Sequence, residues 1–246
     1  QPSNFASVAW LGVLIALLAG CAATTTGPGS SAGTTARPDE DVARDAGRQP
    51  FAVLDYLGVE SGMTTLDVMS GAGYYAEVMS NVVGDTGTVY AQNAARGLRF
   101  GNGRNDRALT DRLYGNRLPN VRRLDREFDD LGLVAGSVDV ALTALNFHDI
   151  YNNSQQAAQG VLQGLYAVLK PGGVLGIIDH VGEPGADNAK LHRIDPALVI
   201  AAAEQAGFSV EQTDLLANPE DDHSQSPFAP GLRGNTDRFL LKLSKP

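Results

Sequence analysis

The stretch that decides the fold reads Thr64-Thr65-Leu66-Asp67-Val68-Met69-Ser70-Gly71-Ala72-Gly73-Tyr74-Tyr75-Ala76-Glu77-Val78-Met79-Ser80. An apolar run ends at an acid, a glycine-rich segment follows, and apolar residues then recur at helical spacing, which predicts a strand, a tight turn and a helix. Glycines let the backbone turn sharply and let a ligand approach closely, and the amides of the following helix face the same spot. The stretch therefore predicts a ligand-binding corner of an open α/β sheet.

Asp67 separates two interpretations of this corner. The spacing Gly71-x-Gly73-x-x-Ala76 fits loosely the fingerprint of a dinucleotide site, in which bare amides hold a pyrophosphate. A carboxylate at the strand end would repel a pyrophosphate but suits a ligand that carries an ammonium group. An ordinary strand-to-helix turn without a ligand is the third interpretation.

The same stretch resembles motif I of the class I S-adenosylmethionine-dependent methyltransferases, an acid followed after one residue by G-x-G-x-G, with Met69 in place of the first glycine. The turn Leu169-Lys-Pro-Gly-Gly173, before a strand that ends in Asp179-His180, is a further feature of that family. The resemblance covers about residues 38–246. It implies a Rossmann-like α/β sandwich with a seven-stranded, mostly parallel sheet and an antiparallel last strand, and it implies methyl transfer with S-adenosylmethionine as the cofactor.

The resemblance also implies which residues hold the cofactor. Asn93 ends the second strand, where the family usually has an acid for the ribose hydroxyls, so the ribose would be held by amide hydrogen bonds with less charge assistance. Glu127 falls where the family has an acid near the adenine amino group, and Phe128 would lie against the purine. Asp125 is the alternative to Glu127, and an exposed acidic turn is the interpretation without a ligand. The full predicted cofactor-binding set is Asp67, Ser70, Gly71, Gly73, Tyr74, Asn93, Glu127, Phe128 and Asn146.

The predicted catalytic residues are His148, Asn146 and His180, which follow two apolar runs typical of central strands. Open α/β sheets bind ligands at the carboxyl ends of such strands. Methyl transfer requires a positioned nucleophile and, if that nucleophile carries a proton, a base. Histidine suits that task near neutral pH, and His148 is ranked above His180 because strand four should end beside the transferred methyl group. A structural hydrogen bond is the alternative for each histidine.

No metal site is predicted in this region. Asp149, Asp179 and His192 are further potential ligands near these histidines. No pair among them has the compact sequence spacing of a metal motif.

The N-terminal segment predicts targeting. Residues 8–19 are apolar but too short to span a bilayer, and the segment ends in Leu18-Ala19-Gly20-Cys21, which resembles the lipobox of bacterial lipoproteins. Residues 1–21 are thus predicted to be a lipoprotein signal peptide with lipidation at Cys21, residues 22–38 a flexible linker, and residues 39–246 the methyltransferase-like domain. The expected location is the bacterial cell envelope, lipid-anchored to the membrane and facing the periplasm. A buried apolar helix with an incidental thiol is the alternative.

The net charge and the composition limit the kinds of binding partner that the sequence predicts. The net charge of −9 argues against binding of nucleic acid through net charge, and the arginine-rich stretch between residues 96 and 126 predicts a solvated helix face. The predicted acceptor is a small molecule of unknown identity, and the oligomeric state is not predicted. The alternative function is a lipid-anchored envelope binding protein that kept the fold without catalysis, because the anchor would remove the domain from the cytoplasm, where S-adenosylmethionine is made.

The C-terminal part predicts a helix and a long connection. Asp195 is the expected N-cap of a helix that has Pro196 in its first turn. Residues 217–237 are polar, contain three prolines and are too long for a simple hairpin turn, so they are predicted to form a lid.

Overall fold

The computed structural model of this protein describes Pro2 and residues 36–246. Residues 36–246 form a seven-stranded sheet with helices on both faces. The strands are β1 (Thr64–Val68), β2 (Thr88–Gln92), β3 (Val121–Leu124), β4 (Val138–Ala144), β5 (Leu169–His180), β6 (Ser209–Thr213) and β7 (Arg238–Ser244). Their order is β3-β2-β1-β4-β5-β7-β6, and β7 alone is antiparallel to its neighbours in this sheet. The predicted fold class is confirmed.

The helices connect the strands in the order typical of a doubly wound sheet. They are α1 (Asp39–Val42), α2 (Asp45–Arg48), α3 (Pro50–Leu57), α4 (Tyr74–Val83), α5 (Ala95–Leu113), α6 (Phe147–Asn153), α7 (Gln155–Val168), α8 (Asn188–Leu191) and α9 (Pro196–Gln205), with a 3₁₀ turn at Tyr114–Asn116. Helix α5 is interrupted by non-helical residues 100–103. Asp195 caps α9 by accepting a hydrogen bond from the amide of Ala197 at 2.8 Å, as the sequence predicts.

Two hydrophobic cores cover the two faces of the sheet. Along β5 the side chains alternate between them: Leu175 and Ile177 pack against α7 and α9, while Val174 and Ile178 pack against α3 and α4. Burial on both faces explains why β4 and β5 read as nearly continuous apolar runs. The chain turns to opposite sides of the sheet from β1 and from β4, so the carboxyl ends of these strands meet at the topological switch point, where such sheets bind ligands.

The arginine-rich stretch differs from its prediction at two residues. Arg112 and Arg117 do not lie on a solvated face, because both form ion pairs with Glu77 of α4, whose side chain is fully buried. Arg112 also pairs with Asp41 at 2.7 Å and donates from Nε to the carbonyl of Ala72 at 2.6 Å. A buried carboxylate requires such cationic partners. Arg112 therefore joins α5 to α4 and to the glycine-rich turn, and Arg117 joins the segment after the 3₁₀ turn to α4.

The predicted signal peptide (residues 1–21) apart from Pro2, the lipidation site Cys21 and most of the predicted linker (residues 22–38) lie outside the described residues. At the end of that linker Arg37 pairs with Asp45 at 2.5 Å. Within the described part of the chain, no helix combines the length and the apolar character needed to cross a membrane.

Candidate functional site

The first half of the site is the turn between β1 and α4, residues 67–74, which we call the glycine corner. Met69, Gly71 and Gly73 all have left-handed backbone conformations, with φ of 54°, 57° and 86°. A Cβ atom at Gly73 would lie 2.9 Å from the side chains of Arg112 and Leu109, whereas at Gly71 the nearest neighbouring side-chain atom would be 3.9 Å away. Gly73 therefore serves the packing of α5, and Gly71 leaves room for a ligand.

Asp67 is almost fully buried beneath this corner. Its Oδ2 accepts hydrogen bonds from the hydroxyl of Ser70 at 2.6 Å and from the amide of Ala76 at 2.8 Å. Burial raises the pKa of Asp67 to about 6, although these two donors and the charges of Arg48 and Arg112 oppose the shift. The carboxylate is thus mostly ionised at pH 7 and holds the turn against the first residues of α4.

Two amide side chains from the end of β2 also hold the glycine corner. Asn93 accepts from the amide of Gly71 at 2.8 Å and donates to the carbonyl of the same residue at 3.2 Å. Gln92 accepts from the amide of Met69 at 2.9 Å and donates to the carbonyl of Arg126 at 2.7 Å. Asn93, predicted to bind the ribose, therefore already pairs with the turn, and Gln92 is a structural partner to which the sequence assigned no such contact.

Tyr74 connects the glycine corner to the N-terminal helices. Its hydroxyl donates to Asp45 at 2.5 Å, and the guanidinium groups of Arg37, Arg44 and Arg48 lie 5.1, 4.6 and 4.5 Å from its ring centroid. Burial and the hydrogen bond to Asp45 raise the pKa of Tyr74 to about 12. The side chain of this predicted cofactor residue thus contacts α2, Arg44 directly before α2, and Arg37 upstream of α1.

Glu127 and Phe128 line a cavity of about 410 Å³ beyond the end of β3. Its other walls come from Asp129 and from helices α6 and α7, including Ile150 and Val161. Glu127 also accepts from the amide of Ala95 at the start of α5 at 2.9 Å. The cavity thus combines an acid and an aromatic ring with an apolar wall, and the role of Glu127 and Phe128 in adenine binding stays a prediction.

The second half of the site lies at the ends of β4 and β5 and comprises His148, Asp149, Asp179, His180 and His192, which we call the histidine corner. The carboxylate of Asp179, fully buried, accepts from Nδ1 of His148 at 2.7 Å and from the backbone amides of His148 and His180 at 2.8 and 2.9 Å. Burial lowers the pKa of His148, but Asp149 and Asp179 outweigh this effect and raise it to about 9. Asp179 thus fixes the orientation of the His148 ring.

The outer part of the histidine corner faces solvent. Oδ1 of Asp149 lies 3.3 Å from Nε2 of His148 and 3.1 Å from Nδ1 of His192. The His192 ring in turn contacts the exposed ring of Phe228, with 5.1 Å between centroids. One carboxylate oxygen therefore stands between two imidazole nitrogens at the mouth of the site.

His180 has a different environment from His148, although their ring centroids are only 6.0 Å apart. Nδ1 of His180 pairs with the hydroxyl of Thr236 at 2.8 Å, and burial lowers the pKa of His180 to about 4. Asn146 donates to the carbonyl of Ala144 at 2.7 Å and to that of Met69 at 3.4 Å, which links the two corners. The structure thus brings all three predicted catalytic residues to one edge of the sheet.

The connector of residues 217–237 borders the histidine corner and is fastened by a buried ion pair. Arg193, fully buried beside His192, donates from Nη2 to both carboxylate oxygens of Asp221 at 3.0 and 2.8 Å. It also donates to the carbonyls of Gln225 at 2.9 Å and Val181 at 2.8 Å. No sequence pattern indicates this pairing across 28 residues, and the lid motion of the connector stays a prediction.

Known proteins share both the fold and the glycine corner. Residues 49–110 match the family model of protein-L-isoaspartate(D-aspartate) O-methyltransferase. A SAM dependent methyltransferase from Aquifex aeolicus is 25% identical, with a TM-score of 0.61 over 80% of this chain and 89% of that chain. These matches support the class I S-adenosylmethionine-dependent methyltransferase family for this chain. The family, the fold and the cofactor predicted from the sequence are confirmed at this level.

More distant structures have the same methyltransferase fold. Phosphoethanolamine N-methyltransferase 2 of Haemonchus contortus, in complex with S-adenosyl-L-methionine, is 16% identical with a TM-score of 0.55 over 81% of this chain and 52% of that chain. The [4+2]-cyclase SpnF is 17% identical with a TM-score of 0.61 over 82% of this chain and 81% of that chain. No curated protein sequence matches the chain. The individual site residues of this methyltransferase stay predictions.

Proposed function

We propose that this methyltransferase transfers the methyl group of S-adenosylmethionine to a small molecule bound at the histidine corner. The observation that carries the proposal is the open position at Gly71, on the carboxyl edge of the sheet and beside the switch point between β1 and β4. A left-handed glycine whose missing side chain would meet no close neighbour is what close approach of a ligand to the backbone requires.

The residues around Gly71 suit the polar parts of the cofactor. Asp67 supplies a negative charge near neutral pH for the ammonium group, and Arg48 contributes a cation whose charge acts on Asp67. The amide of Asn93 stands at the end of β2 for the ribose, although it must exchange or share its contacts with Gly71 to do so. Bound there, S-adenosylmethionine supplies the electrophilic methyl group and its own leaving group.

The adenine end fits the cavity beside β3. Its volume of about 410 Å³ lies within the range of small-ligand sites, and its lining combines Phe128, Ile150 and Val161 with the carboxylate of Glu127. Phe128 offers a ring for stacking against a purine, and Glu127 offers an acceptor for an amino group.

The acceptor is proposed to enter between His148 and the connector. Phe228 and Thr236 of the connector contact His192 and His180, so the connector borders this space and favours a small acceptor over a folded protein. The matched family methylates isoaspartyl proteins, as its name states, but the match at residues 49–110 contains the glycine corner and none of the histidine corner. It therefore supports the cofactor and not the acceptor.

The experiment is calorimetric titration of the full chain, purified in detergent, with S-adenosylmethionine, followed by incubation with phenols, catechols, thiols and carboxylic acids. Saturable cofactor binding and release of S-adenosylhomocysteine with one acceptor class are expected. Binding of a nicotinamide dinucleotide in place of S-adenosylmethionine would replace this proposal with a dehydrogenase. Tight cofactor binding without turnover would favour the non-catalytic envelope binding protein. The sequence argument for that alternative is the predicted lipid anchor, and Met69 and Asn93 at motif positions favour it as well.

The catalytic rank of the two histidines is tested in the same assay. A general base contributes about 10²- to 10⁴-fold to the rate, so His148→Ala should lower turnover by that factor and leave cofactor affinity nearly unchanged. Because the pKa of His148 is raised to about 9, the ring is mostly protonated at pH 7, and wild-type turnover should rise with pH as the ring loses its proton. His180→Ala should cost less turnover, because Nδ1 of His180 is already paired with Thr236 inside the protein. Full turnover in His148→Ala would assign His148 a structural role.

The location proposed for the domain is a membrane surface in the bacterial envelope, reached through lipidated Cys21. The support is the Leu18-Ala19-Gly20-Cys21 pattern after an apolar run. Several acyl chains anchor a protein durably where one chain does so only marginally. Cys21→Ser should move the protein from the membrane fraction to the soluble fraction, and an unchanged fraction would contradict the anchor.

A further inference from the structure

We propose that His148, Asp149 and His192 form a binding site for one divalent transition-metal ion, of the class that includes Zn²⁺ and Co²⁺. The three ligand atoms are Nε2 of His148, Oδ1 of Asp149 and Nδ1 of His192, and all of them lie within 4.8 Å of one another. The inference concerns metal binding itself and does not depend on methyl transfer. An ion on Nε2 of His148 would occupy the nitrogen that acts as the base in the proposed methyl transfer, so the two roles exclude each other.

The spacing of the three atoms suits a small metal ion. Bond lengths of about 2.0–2.1 Å in tetrahedral geometry place neighbouring donor atoms about 3.3 Å apart. Oδ1 of Asp149 is 3.3 Å from the His148 nitrogen and 3.1 Å from the His192 nitrogen. The two histidine nitrogens lie within 4.8 Å of each other, and an approach of these two rings would let the three atoms share one ion.

An unpartnered nitrogen points independently to a ligand. Nε2 of His148 is buried and has no hydrogen-bond partner among the described residues, since its 3.3 Å approach to Asp149 does not have hydrogen-bond geometry. The whole residue is only 3% exposed. Buried polar atoms in native proteins are normally satisfied, so an orphaned nitrogen calls for a water or an ion.

The surroundings of His148 are those of a metal ligand. Its other nitrogen, Nδ1, pairs with the buried carboxylate of Asp179 at 2.7 Å, which is the outer-sphere arrangement that orients metal-bound histidines and raises their basicity. Asp149 and His192 have side chains that are 56% and 39% exposed, so an ion can enter from solvent and keep positions for water. Two imidazoles with one carboxylate favour zinc-like ions over Mg²⁺ or Ca²⁺, which prefer oxygen ligands.

The remaining two histidines of this four-histidine chain provide the contrast. His180 uses Nδ1 for Thr236, and His223 has Glu183 on Nδ1 at 2.6 Å and Asp237 on Nε2 at 2.9 Å. Because these two carboxylates lie on opposite sides of the His223 ring, they cannot bind a single metal ion together with that ring. His223 is therefore a matched control, because it is also a histidine between acids with a left-handed backbone, φ 60° against 52° for His192.

The test titrates the untagged full chain, freed of metal with a chelator, with Co²⁺ and follows the visible absorption of the bound ion. One Co²⁺ per chain is expected, together with displacement by Zn²⁺, resistance to excess Mg²⁺ and a higher melting temperature in saturating Zn²⁺. His192→Asn, which tolerates the left-handed backbone, should weaken binding at least about 100-fold, since even loss of an outer-sphere partner costs 10- to 100-fold. His223→Asn should bind like the wild type.

Asp149→Asn is the second variant, at a side chain that is 56% exposed, and it should weaken Co²⁺ binding at least about tenfold. Melting temperatures of all variants without metal control for folding. Absence of stoichiometric Co²⁺ binding to the wild type would overturn the proposal. Equal binding by the wild type, His192→Asn and Asp149→Asn would overturn it as well.

Discussion

The glycine corner and the histidine corner lie on the same edge of the sheet but satisfy their polar groups in opposite ways. In the glycine corner Asp67, Gln92 and Asn93 already hold the backbone of the turn through hydrogen bonds of 2.6 to 3.2 Å. In the histidine corner Nε2 of His148 is unpartnered among the described residues, and Asp149 and His192 face solvent.

The difference assigns different tasks to the two corners. In the glycine corner the backbone of the turn forms the binding surface. The neighbouring side chains stabilise this backbone, and the space at Gly71 is left open. The histidine corner contains a buried nitrogen without a hydrogen-bond partner among the described residues, next to two side chains that a ligand can reach from solvent. A cofactor common to a large family suits the first arrangement, whereas an acceptor or metal ion particular to this chain suits the second.

The largest effect is expected where the connector is fastened to the histidine corner. Arg193→Met leaves the buried Asp221 carboxylate without its cation, and loss of one partner of a buried pair costs about 3–5 kcal/mol in the free energy of unfolding. Urea unfolding of the two proteins measures this cost. Arg122→Met, at an exposed position on β3, is the control and should change stability by less than about 0.5 kcal/mol. Equal stability of Arg193→Met and the wild type would show that the connector is not held by this pair.

The next effect tests whether the space at Gly71 belongs to the cofactor. Gly71→Asn keeps a residue that tolerates φ of 57° but fills the open position, so S-adenosylmethionine affinity should fall at least about 100-fold while the fold is retained. Calorimetry measures the affinity and thermal unfolding measures the fold. Gly136→Asn is matched, since Gly136 has φ of 67° and open space at the opposite edge of the sheet, and it should bind normally. Normal binding by Gly71→Asn would place the cofactor elsewhere.

The contrast between the corners also explains which parts of the fold and of the site could be predicted from the sequence. The strand, turn and helix of residues 64–80 are contiguous, so propensity, glycine spacing and family resemblance all act within one short window. The pairs Asp179 with His148 and Asp221 with Arg193 join residues 31 and 28 positions apart, and no local pattern encodes them. Sequence spacing likewise gave no metal motif at His148, Asp149 and His192, because the three meet only after β4, α6 and α8 are packed.

A smaller effect concerns the charge beneath the glycine corner. Burial raises the pKa of Asp67 to about 6, although Ser70, Ala76, Arg48 and Arg112 oppose this shift. Asp67 should therefore lose its negative charge as the pH falls from 7 to 5. The ionised fraction falls about tenfold over this range, so affinity for a ligand with an ammonium group should fall by about that factor. Asp67→Asn should bind weakly and without this pH dependence. In the absence of ligand the sign is reversed: the raised pKa means that Asp67 lowers the stability of the fold as the pH rises from about 4 to 6.

The smallest effect is expected at Met69, where the family has its first glycine. Met69 has φ of 54° and packs against the core on the face of the sheet that α7 and α9 cover. The chain thus tolerates a left-handed conformation that costs a non-glycine residue about 1–2 kcal/mol. Met69→Gly removes this strain but loses the side-chain contacts and about 0.5–1 kcal/mol through the greater freedom of the unfolded chain. These contributions oppose each other, and the net change in the free energy of unfolding should stay within about 1 kcal/mol.

Met69→Ile keeps an apolar side chain but adds a β-branch, which makes the same backbone conformation a genuine outlier, so it should destabilise by about 1 kcal/mol or more. Urea unfolding of both variants separates backbone strain from packing. If Met69→Gly were the more damaging change, the methionine side chain would be the essential element, and the departure from the family motif would be a packing adaptation of this chain. The expected order, with Ile worse than Gly, means instead that the turn demands the left-handed conformation itself. The glycine corner would then keep the shape of the family motif without its first glycine.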